Sequence, residues 1–186
     1  MGTRNITRVI ADGEMRVSQY GQWDGYPTYT GVRVLEFVRD NDMSVFLDKV
    51  QQVNGDMIGD ARFKIIAQKV CNSLGKRCVF PDDIKEAYKR GIINEREYVG
   101  YLAATRDTGC GILDLILNAS IPVGVYLLEE NEDAVFFIEG VYTIDLDRKI
   151  VECEYRGIRR EYTFDDIRTM DIGAEMRSIE EEYYGE

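Results

Sequence analysis

Residues 3–20, TRNITRVIADGEMRVSQY, decide the fold. Apolar side chains recur among polar neighbours through Ile6 and Val9-Ile10, and Met15, Val17 and Gln19 alternate with Arg16, Ser18 and Tyr20. Between the two runs lies Asp12-Gly13, a dipeptide suited to the positive φ angles of a tight turn. The spacing predicts a β-hairpin at the start of the chain. Strand-like patterning returns only past Ser120-Ile121-Pro122: at 123–128, at 134–145 with Gly140 marking a bulge, at 150–155 and, beyond Gly157, at 158–164.

Helical spacing fills the interval. Val34, Leu35 and Val38 form one stripe, and Phe46, Leu47 and Val50 a second behind a cap at Asp42 or Ser44. Phe63, Ile66, Val70 and Leu74 form a third, ending at Gly75. Pro81-Asp82-Asp83 opens another helix, with acids facing the positive end of its dipole and Ile84, Ala87 and Tyr88 as its stripe. Asn94 caps a run through Tyr98, Tyr101 and Leu102, and residues 109–119 make one more helix. Thr163 followed by Asp165-Asp166 caps a terminal helix that runs into Glu180-Glu181-Glu182. This order predicts an α+β fold: an antiparallel sheet built from the N-terminal hairpin and a C-terminal meander, with a helical middle and a C-terminal helix. Residues 1–186 read as one domain, the helical insertion spanning about 32–119.

Composition narrows the chemistry. The 186 residues are 45% hydrophobic and 31% charged, enough apolar material for a core. A net charge of -11 argues against direct nucleic-acid binding, because such a surface repels phosphates. The charge is uneven: residues 1–90 carry 14 basic and 12 acidic side chains (+2), residues 91–164 carry 7 and 14 (-7), and residues 165–186 carry 2 and 8 (-6). There is no histidine, which removes Ser-His-Asp and Cys-His pairs, imidazole shuttles and His-based metal sites. Cys71, Cys78, Cys110 and Cys153 include no C-x-x-C pair, so reduced and mostly buried thiols are expected. No cofactor or metal motif is present, and no stretch approaches the ~18 apolar residues of a membrane span. The N-terminus lacks the pattern of a signal peptide, and Met1-Gly2 lacks the Ser or Thr that a myristoylation signal needs, having Ile6 instead.

Two constellations could carry function. The hairpin can return Trp23, Asp24 and Tyr26 to the neighbourhood of Arg4, where an arginine fork, a carboxylate and aromatics would bind a planar or anionic ligand; equally, the aromatics plug the sheet edge and Arg4 pairs with Asp24. Arg106-Asp107-Thr108-Gly109-Cys110-Gly111 contains the Asp-Thr-Gly triplet of aspartic proteases, but the residues before it read as helix. Asp107 or Thr108 reads as a helix cap, while Arg106 beside a glycine-rich helix start makes a small anion site or else an ion pair with Asp107. Acid clusters at Glu129, Glu130, Glu132 and Asp133 and at Glu180, Glu181 and Glu182 lack the spacing of a calcium loop. Arg156, Arg159 and Arg160 are placed to pair with Glu152, Glu154 or Glu161 across strands.

Met1-Gly2-Thr3-Arg4, Asp12-Gly13-Glu14, the run Gln19-Tyr20-Gly21-Gln22-Trp23-Asp24-Gly25-Tyr26-Pro27, Arg106-Asp107-Thr108-Gly109 and Tyr142-Thr143-Ile144-Asp145-Leu146-Asp147 together resemble a family of small phage and prophage proteins, also found in gut Firmicutes. The resemblance is strong over 1–31, moderate over 105–113 and 135–155 and poor through the helical middle. It departs at Thr28-Tyr29-Thr30, where the family's loop ends in glycines. It implies an accessory or counter-defence role, anti-CRISPR-like by analogy, in the bacterial host cytosol. The first expectation is thus a binding protein that inhibits a defence system, presenting its two acid clusters to a basic partner such as a CRISPR effector. The alternative is a small-ligand or nucleotide-binding protein, or a hydrolase, with its site at Arg4, Trp23, Asp24, Tyr26, Arg106 and Asp107. Without histidine, any base would be a carboxylate, and this leans the reading towards binding over catalysis.

Overall fold

Asp12 and Gly13 both adopt positive φ (+56° and +71°), so the expected turn forms. It folds β1 (Asn5–Ala11) back on β2 (Glu14–Gly21), with Asn5 opposite Gly21 and Val9 opposite Val17. The computed structural model describes residues 2–55, 58–125 and 137–185. A single π-helical turn, Pro27–Gly31, leads from the hairpin into six helices: α1 (Val32–Asp40), α2 (Met43–Val50), α3 (Asp60–Leu74), α4 (Pro81–Lys89), α5 (Glu95–Ala104) and α6 (Gly111–Asn118). The chain then returns as β3 (Gly140–Asp145), β4 (Ile150–Tyr155) and β5 (Ile158–Thr163), followed by α7 (Phe164–Thr169) and α8 (Ile172–Tyr184).

The helix ends follow the sequence. Asp42 accepts a hydrogen bond from Ser44 N at 2.8 Å, and Gly75 closes α3 in the left-handed conformation. Pro81 opens α4, while Asn94 and Thr163 form capping boxes with Glu97 and Asp166. One terminal helix was expected, but there are two. Met170 leaves the helical conformation and Asp171 starts again, accepting from Ala174 N at 2.9 Å.

The sheet order is β2-β1-β3-β4-β5, and every pair is antiparallel except β1 with β3. That parallel junction amends the fully antiparallel expectation. A crossover as long as six helices can deliver β3 in either sense, whereas a short turn can deliver only an antiparallel neighbour. The third strand also starts later than expected: Gly140 is its first residue and not a bulge, residues 137–139 lie outside it, and residues 134–136 fall outside the described residues. Of the strand expected at 123–128, residues 123–125 make only a bridge between Gly124 and Asn54, and 126–128 lie outside the described residues.

One face of the sheet carries the core. Val9, Val17, Tyr142, Ile144, Val151 and Cys153 are buried in the same cluster as Leu35 of α1, Phe46 of α2, Ile112 and Ile116 of α6 and Met176 of α8. Hairpin, helical insertion, meander and C-terminal helix therefore share one interior. All four cysteines are free; Cys110 and Cys153 are buried, but Cys78 is exposed. Burial pushes the Cys153 thiol up to about 12, so it behaves as a small apolar side chain. Among the described residues no helix is long and apolar enough to cross a membrane, and no three His, Cys, Asp or Glu residues are grouped to hold a metal ion.

Candidate functional site

Where β2 ends, three successive carbonyls hold the Trp23-Asp24-Gly25 loop in place. Asn5 Nδ2 donates to Trp23 O at 2.9 Å, Thr30 Oγ1 to Asp24 O at 2.6 Å and Tyr142 OH to Gly25 O at 2.9 Å. A side chain from β1, one from the π-helical turn and one from β3 thus fix the loop's main chain. Asp24 takes a left-handed φ of +56° there, which its short side chain tolerates better than most. With its carbonyl occupied, its exposed carboxylate has no hydrogen bond or ion pair among the described residues.

A second loop, between α5 and α6, meets this one. Gln22 N donates to Arg106 O at 3.0 Å, Gln19 Nε2 to Thr105 O at 3.3 Å and Thr108 Oγ1 to Leu102 O. Trp23 Nε1 reaches Asp107 Oδ1 at 3.3 Å, while the other edge of its ring lies over Gly2, where an added Cβ would overlap it. The indole is 55% exposed yet held at both ends. Between the loops is a cleft of about 200 Å³. Its rim is exposed and polar, formed by Trp23, Asp24, Tyr29, Arg106 and Asp107; its floor is buried, formed by Asn5, Gly21, Thr30 and Cys110.

The structure therefore brings together Trp23, Asp24, Arg106 and Asp107 of the expected site. It leaves out Arg4 and Tyr26. Arg4 lies beside the start of β3, its N donating to Glu139 Oε2 at 3.1 Å and its O accepting from Glu139 N and Gly140 N. Tyr26 faces elsewhere, its ring centre 6.4 Å from that of Tyr155. Neither Arg4 with Asp24 nor Arg106 with Asp107 forms an ion pair among the described residues. Asp107 and Thr108 do not cap α6 either; Cys110 occupies the cap position and no side chain bonds there. The first amides of α6 are also engaged, Gly111 N with Thr108 O, Ile112 N with Gly109 O and Leu113 N with Cys110 O, so the helix start offers no open amide cradle.

Sequence reasoning missed Asn5, Tyr29, Thr30 and Arg33. Asn5 is 1% exposed, and its Oδ1 has no hydrogen-bond partner among the described residues. A buried orphan acceptor costs about 1–3 kcal/mol. The readable signal was a polar residue at an inward position of an alternating strand. Arg33 lies over the Tyr29 ring at 5.7 Å and 4.0 Å from Asp114. Burial works against its charge, but Cys110, Tyr29 and Asp114 outweigh that and hold its pKa above the usual value. Burial in turn raises the Cys110 thiol, so the floor stays uncharged near neutral pH.

The C-terminal acid cluster is partly engaged within the molecule. Glu180 Oε1 accepts from Thr28 N at 2.8 Å and Thr28 Oγ1 at 2.6 Å, and Glu182 pairs with Arg160. Two of the three terminal acids are thus occupied within the molecule, with Glu181 left exposed beside them. Glu129, Glu130, Glu132 and Asp133 lie outside the described residues. Of the three expected cross-strand arginines, Arg159 pairs with Glu152, whereas Arg156 turns to Glu139 and Arg160 to the C-terminal helix.

Set against known protein families, curated proteins and solved structures, the chain matches none.

Proposed function

We propose that the chain binds a small ligand carrying a planar ring and a negative charge, held in the cleft between Trp23 and Arg106. The observation that supports this reading is a set of unmatched polar groups around one cleft. Arg106 has no side-chain partner and Asp24 no carboxylate partner among the described residues, and Asn5 Oδ1 is an orphan acceptor beneath them. Leaving a cation, a carboxylate and a buried acceptor unsatisfied around one cleft is the arrangement of a site whose missing partner is a ligand.

Each group has a role. Arg106 supplies a fork of N–H donors for phosphate or carboxylate oxygens, strongest where the charge is on the acceptor. Trp23 offers an indole already fixed in orientation, so stacking costs little further ordering. Asp24 and Asp107 accept hydrogen bonds from ring N–H groups. A mononucleotide carries all three features, which makes nucleotides the class to test first. Holding such a compound would let a phage-carried protein withdraw a nucleotide signal from a defence system, joining the cleft to the counter-defence setting that the family resemblance implies. The acidic-surface reading draws less support, since Glu180 and Glu182 are already bound within the molecule.

Thermal unfolding of the intact chain against AMP, GMP and nicotinamide mononucleotide tests the reading. A ligand at 100 times its dissociation constant adds ~2.7 kcal/mol, which raises the midpoint of a domain of this size by roughly 5–10 °C. At least one of the three should give that shift. Flat midpoints for all three would contradict the reading.

A further inference from the structure

A second opening adjoins the cleft. It is a groove of about 360 Å³ between α4, α5 and α6, and Arg33 lines both spaces. Two of its lining residues, Tyr88 and Tyr98, stack with ring centres 4.6 Å apart and planes at 13°. Tyr88 is 39% exposed, so the stacked pair keeps an accessible ring. Lys85 also lines the groove, its only ion pair among the described residues a 3.6 Å contact with an almost fully exposed Asp82, a pairing that water and salt weaken readily. Glu95 also lines the groove, but its carboxylate is turned to Ser120, accepting from Ser120 N at 2.7 Å and from the hydroxyl. Asp114 is the one acid paired with Arg33 among the described residues, at 4.0 Å.

The cleft thus carries Trp23 and Arg106, the groove carries the Tyr88–Tyr98 stack, and Arg33 lines both. The groove, at about 360 Å³, lies within the ~300–1,000 Å³ usual for ligand sites, and the cleft of about 200 Å³ adjoins it at Arg33. We infer that the ligand is a two-ring compound whose rings are bridged by phosphate, one ring on Trp23, the phosphates on Arg106 and Arg33, and the second ring on the tyrosine stack. This rests on the cleft being a ligand site, and it adds the class of compound that the site takes. Arg33 lines both openings, and its partners, Asp114 at the limit of an ion pair and Tyr29 beneath it, are ones with which a phosphate would compete.

Calorimetric titration of the intact chain with a dinucleotide, NAD, and with its two halves, AMP and nicotinamide mononucleotide, tests this. A cyclic dinucleotide, cyclic di-GMP, beside GMP extends the test to a second phosphate geometry. In at least one set the two-ring probe should bind ten times or more tighter than each half. Tyr88→Ala should remove most of that advantage, and a cooperative urea transition with an unchanged slope shows that the variant is folded. Halves that bind as tightly as the two-ring probes would overturn the two-ring inference and leave the cleft standing as a mononucleotide site. The same holds for a two-ring advantage that survives Tyr88→Ala. Failure of every probe to bind would overturn the cleft itself as a nucleotide site, and the inference with it.

Discussion

Gly140→Val should be among the most damaging single substitutions in the chain, costing about 3 kcal/mol or more through overpacking against atoms that cannot move aside. A Cβ at Gly140 would stand 2.6 Å from Gly25 O, a main-chain atom already bonded to Tyr142 OH. Gly25 is equally confined, its own Cβ position lying 2.9 Å from Thr3 O and 3.0 Å from Arg4 O. The start of β3, the end of the Trp23 loop and the chain leading into β1 therefore meet through bare main chain, and a side chain there must displace the loop. In urea the unfolding midpoint should fall with its slope unchanged, and ligand binding should be lost even where the variant remains folded. Gly173→Ala provides the contrast. It lies in the first turn of α8, its nearest neighbours are side-chain atoms at 3.4 Å and 3.5 Å, and alanine favours a helix over glycine, so stability should hold or rise by about 0.5–1 kcal/mol.

The second large effect is functional. Arg106→Glu should weaken binding of the anionic ligand by roughly 100-fold or more while leaving the unfolding midpoint where it was. Removing one charge-assisted hydrogen-bonding group costs about 1.5–3 kcal/mol, or about 10–100-fold, and reversing its sign adds repulsion from an acid beside the phosphate. Stability should be untouched because the Arg106 side chain has no partner among the described residues; the residue's structural contribution is its carbonyl, which accepts from Gln22 N and survives the substitution. Urea unfolding beside calorimetry separates the two. A fall in stability equal to the loss in binding free energy would make Arg106 a structural residue and not a ligand contact.

Local patterning made the elements legible. Asp12-Gly13 specified the hairpin because a two-residue turn with positive φ is a strictly local demand, and Asp42, Gly75, Pro81 and Asn94 marked helix ends for the same reason. The parallel pairing of β1 with β3 was not legible, since which edge of the hairpin receives the meander depends on packing over more than a hundred residues. The site divides in the same way. Trp23, Asp24, Arg106 and Asp107 declared themselves through unusual composition, and the fold did bring the two loops together. Arg4 lies outside the cleft because its main chain is tied to Glu139 and Gly140 at the start of β3. Arg33 was invisible, being a charged residue on an otherwise ordinary helix whose value comes from lying between two openings. The terminal acids looked like a free surface because nothing in the sequence announced that Thr28, in a π-helical turn, would capture Glu180.

That turn also links the cleft to the C-terminal helix. Tyr29 and Thr30 face the cleft, Thr28 grips Glu180, and Gly31 packs on Met176, so α8 buttresses the wall from which Thr30 holds the Asp24 carbonyl. Turns of this kind are rare and concentrate at functional sites, where they present side chains that a regular helix would rotate away.

The chain has one tryptophan, and it stands at the rim of the cleft. Titrating the intact chain with AMP, GMP and nicotinamide mononucleotide while following Trp23 emission therefore tests the cleft as a ligand site without any label. A saturating change with at least one of these, absent in Arg106→Glu under the same conditions, is the predicted result. Emission that never saturates with any of them, or that saturates alike in the wild type and Arg106→Glu, would contradict it.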